Sequence, residues 1–218
     1  MPGDGARFPI AVLVSGSGTN LQAILDQVHG RGGIEVAGVA SSKSSVKALE
    51  RAEAAGVETA VFEAASYPDR TARDEAMGAW LRDRGAELLV LAGFMELLTT
   101  GLLEAFPGRV INVHPSLLPA FPGARPVEDQ LAYGVKVSGV TVHFVDEGVD
   151  TGPIILQEPV RTSHLDGQEE LLDRLHKAEH DLLPRAIRLI ALGAVGFDAD
   201  NPRVVRVDES VLRDGEQP

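Results

Sequence analysis

Asn112 and His114 stand two residues apart at the end of a short apolar run (VINVH, 110–114), directly before Pro115-Ser116-Leu117-Leu118-Pro119. In an extended strand, residues two apart face the same side, so an amide and an imidazole can point into one site. That pairing suits an acyl-transfer intermediate: the amide stabilises developing oxyanion charge while the imidazole handles protons. A capped strand end carrying a satisfied structural histidine fits the same residues, and the pattern alone does not separate the two. The turn Asp146-Glu147-Gly148-Val149-Asp150-Thr151-Gly152-Pro153 adds acids. One reading is a solvated acidic hairpin. The other has Asp150 reaching His114, orienting the ring and holding its charged form. The turn lacks the D-x-[DN]-x-[DN]-G spacing of a calcium loop.

Ser15-Gly16-Ser17-Gly18-Thr19-Asn20 lies between an apolar run and an amphipathic one. Glycines let a backbone approach a ligand, and a helix start offers unpaired N–H groups to a phosphate. A tight turn capped by Thr19 or Asn20 explains the residues nearly as well. The loop fits neither G-x-G-x-x-G nor G-x-x-x-x-G-K-[ST], so dinucleotide and nucleoside triphosphate binding lack support. His176-Lys177-Ala178-Glu179-His180 matches the H-x-x-E-H pattern of inverted zinc peptidases. No third ligand follows it, so no metal is expected, and Glu179 or His176 is read as contacting substrate or solvent. His29 and His164 read as surface loop or helix-end residues, and His143, within a strand, as structural. The absence of G-x-S-x-G argues against a serine hydrolase.

These groups need a scaffold, and the chain supplies one by alternation. Residues 9–15 (PIAVLVS) form a buried strand, and 21–30 place Leu21, Ile24, Leu25 and Val28 on one helical face. Strands follow at 34–40, near 58–62, at 87–93 and at 110–113, with helices through 47–56 and roughly 69–84. Strands alternating with helices imply a parallel sheet covered on both faces. After Lys136 the texture changes. VSGVTVHFV (137–145) and PIILQEPV (153–160) are too close for a helical crossover and are expected to be antiparallel. A helix from about 168 to 192 and a strand in RVVRV (203–207) complete the chain. The expected fold is a doubly wound, mostly parallel α/β sheet, Rossmann-like, with an antiparallel C-terminal extension. Residues 1–8 form a flexible N-terminus, 9–196 one domain, and 197–218 an extension and tail. The active site belongs beyond the strands' carboxyl ends.

Composition narrows the function. A length of 218 residues, 44% hydrophobic and 24% charged, fits one soluble globular domain. A formal net charge of -12, with no clustered basic patch, disfavours nucleic acid and membrane surfaces as partners. An anionic substrate would have to be held by local donors. With no cysteine, disulfides, thiolate metal sites and cysteine nucleophiles are excluded. The start, MPGDGARFP, lacks a secretory pattern, so a cytoplasmic location is expected.

Five segments in order, VLVSGSGTNLQAIL, VLAGFMELL, VINVHPSLLPAFPGA, TVHFVDEGVDTGPIILQ and HKAEHDLLP, cover about residues 10–192. Together they resemble the glycinamide ribonucleotide formyltransferases. The resemblance implies transfer of a formyl group from the cosubstrate 10-formyltetrahydrofolate to the amine of glycinamide ribonucleotide, in purine synthesis, through a tetrahedral intermediate and without a metal. It implies that Gly18, Thr19 and Asn20 hold the substrate phosphate and that Glu179 receives the glycyl amine region. Asn112, His114 and Asp150 would be the catalytic trio. Met95, Leu97, Leu98, Val145, Asp146 and Glu147 would bind the folate. A homodimer is left open.

The chain departs from the resemblance at two places. Many members carry Arg or Lys after AGFM, where Glu96 stands, and many carry histidine where Arg125 stands. The first bears on folate-tail or pterin contact and the second on the loop near the reaction centre. Two related families share the formyl-folate site, and a silent binding module is an alternative of a different class. Formyltetrahydrofolate hydrolases usually carry an additional N-terminal regulatory domain, which is not expected before Pro9, and tend to show paired histidines where His114-Pro115 stands. Methionyl-tRNA formyltransferases carry an extra C-terminal domain and an arginine in the loop that here reads Phe121-Pro122-Gly123. A catalytically silent phosphate- or folate-binding module would not need Asn112, His114 and Asp150 together.

Overall fold

The computed structural model describes residues 7–212. The expectations for residues 1–6 and 213–218 lie outside the described residues. Nine strands and six α-helices alternate within the described residues: β1 (Phe8–Val14), α1 (Thr19–Gln27), β2 (Ile34–Ser41), α2 (Lys47–Ala54), β3 (Thr59–Val61), α3 (Arg70–Asp83), β4 (Leu88–Leu91), α4 (Thr100–Ala105), β5 (Val110–His114), α5 (Pro126–Tyr133), β6 (Val137–Phe144), β7 (Ile154–Arg161), α6 (Gln168–Ala191), β8 (Val195–Phe197) and β9 (Val205–Val207).

β1 shows why the sheet sits at the centre. Side chains alternate across a strand, and its residues divide accordingly between two cores. Ile10, Val12 and Val14 pack with Leu21 and Ile24 of α1 and Leu182 and Leu183 of α6. Ala11 and Leu13 pack on the other side with Met77 and Leu81 of α3. A strand buried on both faces reads as a continuous apolar run, which is what residues 10–14 are. Burying each such Leu, Ile or Val stabilises the fold by about 1.5–3 kcal/mol before entropy is counted. α3 begins where the Asp69 carboxylate accepts the Ala72 N–H at 2.8 Å, an N-cap that fixes its first turn.

The seven-stranded sheet runs β3-β2-β1-β4-β5-β6-β7. The first five strands are mutually parallel, and β6 and β7 are each antiparallel to the preceding strand. The chain leaves β1 toward β2 on one side and returns to β4 on the other, so a crevice opens beyond the carboxyl ends there. The C-terminal extension is a separate sheet in which β8 and β9 pair antiparallel. It crosses residue 196 and docks by Phe197, whose ring centroid lies 4.8 Å from that of Phe144. Three elements had no sequence expectation: α4, α5 and β8. Among the described residues no helix is long and apolar enough to cross a membrane.

Candidate active site

The crevice holds a cavity of about 380 Å³. The loop after β4, the end of β5, the start of α5, the turn between β6 and β7 and the first turns of α6 surround it. Leu91, Phe94, Leu97 and Val145 supply apolar walls, while Asn112, His114, His143 and Asp150 face it as a polar group. Such a surface fits a flat, largely apolar ligand with a few directed hydrogen bonds.

Asp150 is the centre of the polar group. Its Oδ2 accepts the Gly123 N–H at 2.8 Å and lies 3.4 Å from His114 Nδ1. Its Oδ1 lies 3.5 Å from Asn112 Nδ2 and 3.7 Å from His143 Nε2. The backbone at Asp150 has φ 54, in the left-handed region that Asp and Asn tolerate better than most residues. The turn that aims it is closed by Asp146, whose Oδ1 accepts the Gly148 N–H at 3.1 Å and the Thr151 hydroxyl at 2.6 Å. The structure thus brings Asn112, His114 and Asp150 to one point.

His143 joins them, contrary to its expected purely structural place. β5 and β6 pair so that Asn112 lies opposite His143, and cross-strand partners share a face. Asn112 Nδ2 and His143 Nε2 are 3.3 Å apart, and His143 Nδ1 lies 2.8 Å from the Phe144 carbonyl oxygen. The signal was present in the strand pattern, but reading it required knowing which strands pair.

Burial pushes the His114 imidazole below its ordinary pKa and outweighs the carbonyl of Phe121, 2.9 Å from Nε2, and the Asp150 carboxylate. Burial also opposes ionisation of Asp150, yet the nearby His143 ring, the Gly123 N–H and the His114 ring together hold that carboxyl below the usual range. The site therefore sets a carboxyl that favours its ionised form against an imidazole whose charged form burial disfavours.

A second cluster lies at the α1–α6 contact. Gly18 is the N-cap of α1 at φ 72, and a Cβ there would sit 2.7 Å from the Cα and Cβ of Ala48. Glycine is therefore required both by conformation and by space. No side chain caps α1, so neither Thr19 nor Asn20 serves as the cap and the first-turn N–H groups keep no side-chain acceptor. Asn20 Nδ2 donates to Glu179 Oε2 at 2.9 Å, while Asn20 Oδ1 is buried without a partner. Burial pushes the Glu179 carboxyl above its ordinary pKa, against the Asn20 amide and His176. Arg51, absent from the expected set, donates to the Ser17 carbonyl oxygen at 3.0 Å and places a cation beside the loop. Gly18, Thr19, Asn20 and Glu179 are not among the residues lining the cavity. His176 and His180 stack at 6.2 Å, with Glu179 turned to Asn20.

Met95, Leu97, Leu98, Val145, Asp146 and Glu147 all line the cavity. Met95 and Leu97 are 76% and 57% exposed, which puts their loop at the rim. The Met95 N–H donates to Ser15 Oγ at 3.2 Å, and the Thr99 N–H donates to Asp74 Oδ2 at 2.8 Å, so the loop is tied at both ends. Glu96 forms an ion pair with the buried Arg73, which also pairs with Asp74. Arg125 is exposed at the N-cap of α5.

Residues 8–187 match the formyl transferase family. The chain belongs to that family. The formyl transferase is 42% identical over 179 residues to the phosphoribosylglycinamide formyltransferase of Bacillus subtilis, covering 82% of this chain and 92% of that one. It superimposes with a TM-score of 0.89 on glycinamide ribonucleotide transformylase 1 from Symbiobacterium toebii, at 47% identity, with 95% and 97% of the two chains covered. It is also 43% identical, over 87% of its length, to the trifunctional purine biosynthetic protein adenosine-3 of Drosophila pseudoobscura, of which it spans 14%. The formyl transferase spans only a small part of such trifunctional relatives.

Proposed function

We propose that this formyl transferase moves the formyl group of 10-formyltetrahydrofolate to the amine of glycinamide ribonucleotide, a step of purine synthesis. The observation that carries this reading is the convergence of Asn112, His114 and Asp150 in a cavity that also has apolar walls. In the proposed reaction the amine nitrogen forms a bond to the formyl carbon, and the carbonyl pair moves onto oxygen. The Asn112 amide and the His114 ring stabilise that oxyanion. The C–N10 bond then breaks, and the amine's proton passes to N10 by way of the Asp150 carboxylate, which is ionised and able to receive it. The products are the formylated ribonucleotide and tetrahydrofolate. The donor's flat ring system suits the walls formed by Leu91, Phe94 and Val145. The uncapped start of α1 and Arg51 suit a phosphate, and Glu179 the glycyl amine.

The direct test follows donor loss spectroscopically with and without glycinamide ribonucleotide, in the presence of a chelator. Donor loss that requires the ribonucleotide is expected. Loss without it, releasing formate, would identify a hydrolase and overturn the transfer reading.

The phosphate loop has its own test. Asn20→Ala is expected to raise the ribonucleotide KM by about tenfold, the loss of one hydrogen bond near charge, and to change the donor KM by less than about twofold. An unchanged ribonucleotide KM would remove the loop from the substrate site.

A further inference from the structure

Among the described residues, five carboxylates line the cavity, those of Glu96, Glu128, Asp146, Glu147 and Asp150, and no lysine or arginine does. Arg73 stands behind Glu96, but it is 2% exposed and already paired with Asp74, so the trio of Arg73, Asp74 and Glu96 carries a net negative charge. The whole chain, these residues included, carries a formal charge of -12. A cavity lined by one sign of charge, with apolar walls, concentrates its field at the mouth. We infer that this cavity selects its formyl donor by the charge of the donor's tail, favouring a single glutamate over a chain of them, and that Glu96 sets the preference.

The inference rests on the formyl-transfer reading and adds to it a choice among donors. A folate bears a glutamate on its benzoyl end, and each further glutamate adds a carboxylate. Whichever way the ring system lies, a lengthening tail meets carboxylates along the lining and gains no lysine or arginine partner from it. Glu96 is the member of the five placed to decide the outcome. It lies between Met95 and Leu97, the exposed residues of the rim, so a charged chain that extends outward past this loop meets its carboxylate. It also engages Arg73, so removing its charge both deletes a repulsion and releases a guanidinium edge toward the rim.

The test measures donor KM for 10-formyltetrahydrofolate with one glutamate and with three, at saturating ribonucleotide, in low and high salt. The unmodified protein is expected to show a KM about threefold or more higher for the triglutamyl donor at low salt. The two values should converge as salt screens the rim. Glu96→Gln is expected to narrow the ratio, and Glu96→Lys to invert it. A lower KM for the triglutamyl donor at low salt would overturn the inference, as would a ratio that neither variant changes. Should either variant fail to fold, the salt dependence of the unmodified protein decides alone. Absence of turnover and of binding with both donors would instead overturn the formyl-transfer reading, and this inference with it.

Discussion

Asp150→Asn is expected to lower kcat by about a thousandfold, the middle of the range for losing a general acid–base group, with the protein still folded. The substitution keeps shape and removes charge. Asn accepts the left-handed backbone that Asp150 adopts, so strain does not enter the comparison. Its single side-chain oxygen can still accept the Gly123 N–H, now made by Asp150 Oδ2. The new amide NH₂ then faces Asn112 Nδ2 and His143 Nε2, where Oδ1 accepted before. Asn112 loses the group that aims it, and no carboxylate remains to receive the amine's proton. The His114 titration gives an independent readout. The Asp150 carboxylate raises the His114 pKa against burial, so its removal should move that midpoint further below the ordinary value of about 6.5. NMR of the imidazole checks this, and a turnover within about tenfold of the parent would remove Asp150 from the proton path.

The same carboxyl gives the acid side of the stability curve a sign. Its folded pKa is depressed, so its contribution is present above the unfolded value of about 3.9 and is lost as pH falls through the folded value. Asp150→Asn should therefore flatten the thermal midpoint across that window.

Much of the scaffold could be read directly. β1 and β4 are apolar on both faces because helices cover both sides of the sheet, and such runs have few other folded forms. α6 was legible by length and by the spacing of Leu171, Leu175, Leu182 and Leu183. α4 was not, since its six residues give too short a period. α5 did carry signals, Pro126 at its first turn and Gly134 in the left-handed region just beyond it. The other prolines and glycines of the surrounding loop mask them.

The site divides along the same line. Asn112 and His114 share a face by strand alternation, a local rule. His143 enters only through the β5–β6 register, and Arg51 only through the approach of α2 to the glycine loop. Long-range pairing leaves no mark in either residue's neighbourhood. The formyl transferase resemblance reached Asp150 from the ordered motifs, while the aim of its side chain depends on the Asp146–Thr151 hydrogen bond.

Arg73 is the charge that helical periodicity places wrongly. It sits with Asp74 in the first turns of a helix whose exposed face could have held both, yet both are buried. Its Nη2 and Nε contact Asp74 Oδ1 at 2.8 and 3.1 Å, and Glu96 completes the guanidinium's partners from the rim loop. A buried pair of this kind adds little net stability over an apolar replacement, but breaking it strands a charge. Arg73→Met would leave the Asp74 side chain, 0% exposed, with the Thr99 N–H as its remaining hydrogen bond. The expected loss is about 3–5 kcal/mol, a large share of the 5–15 kcal/mol typical of a folded domain. Adding Asp74→Asn removes the stranded charge and keeps an acceptor for Thr99, so the double variant should recover most of that loss. Denaturant midpoints of the two single variants, the double variant and the parent complete the cycle. A cost below about 1 kcal/mol for Arg73→Met would mean that water reaches Asp74. If the double variant were no better than the single one, the loss would lie in Arg73's packing, and the rim loop would have to be held chiefly from Ser15.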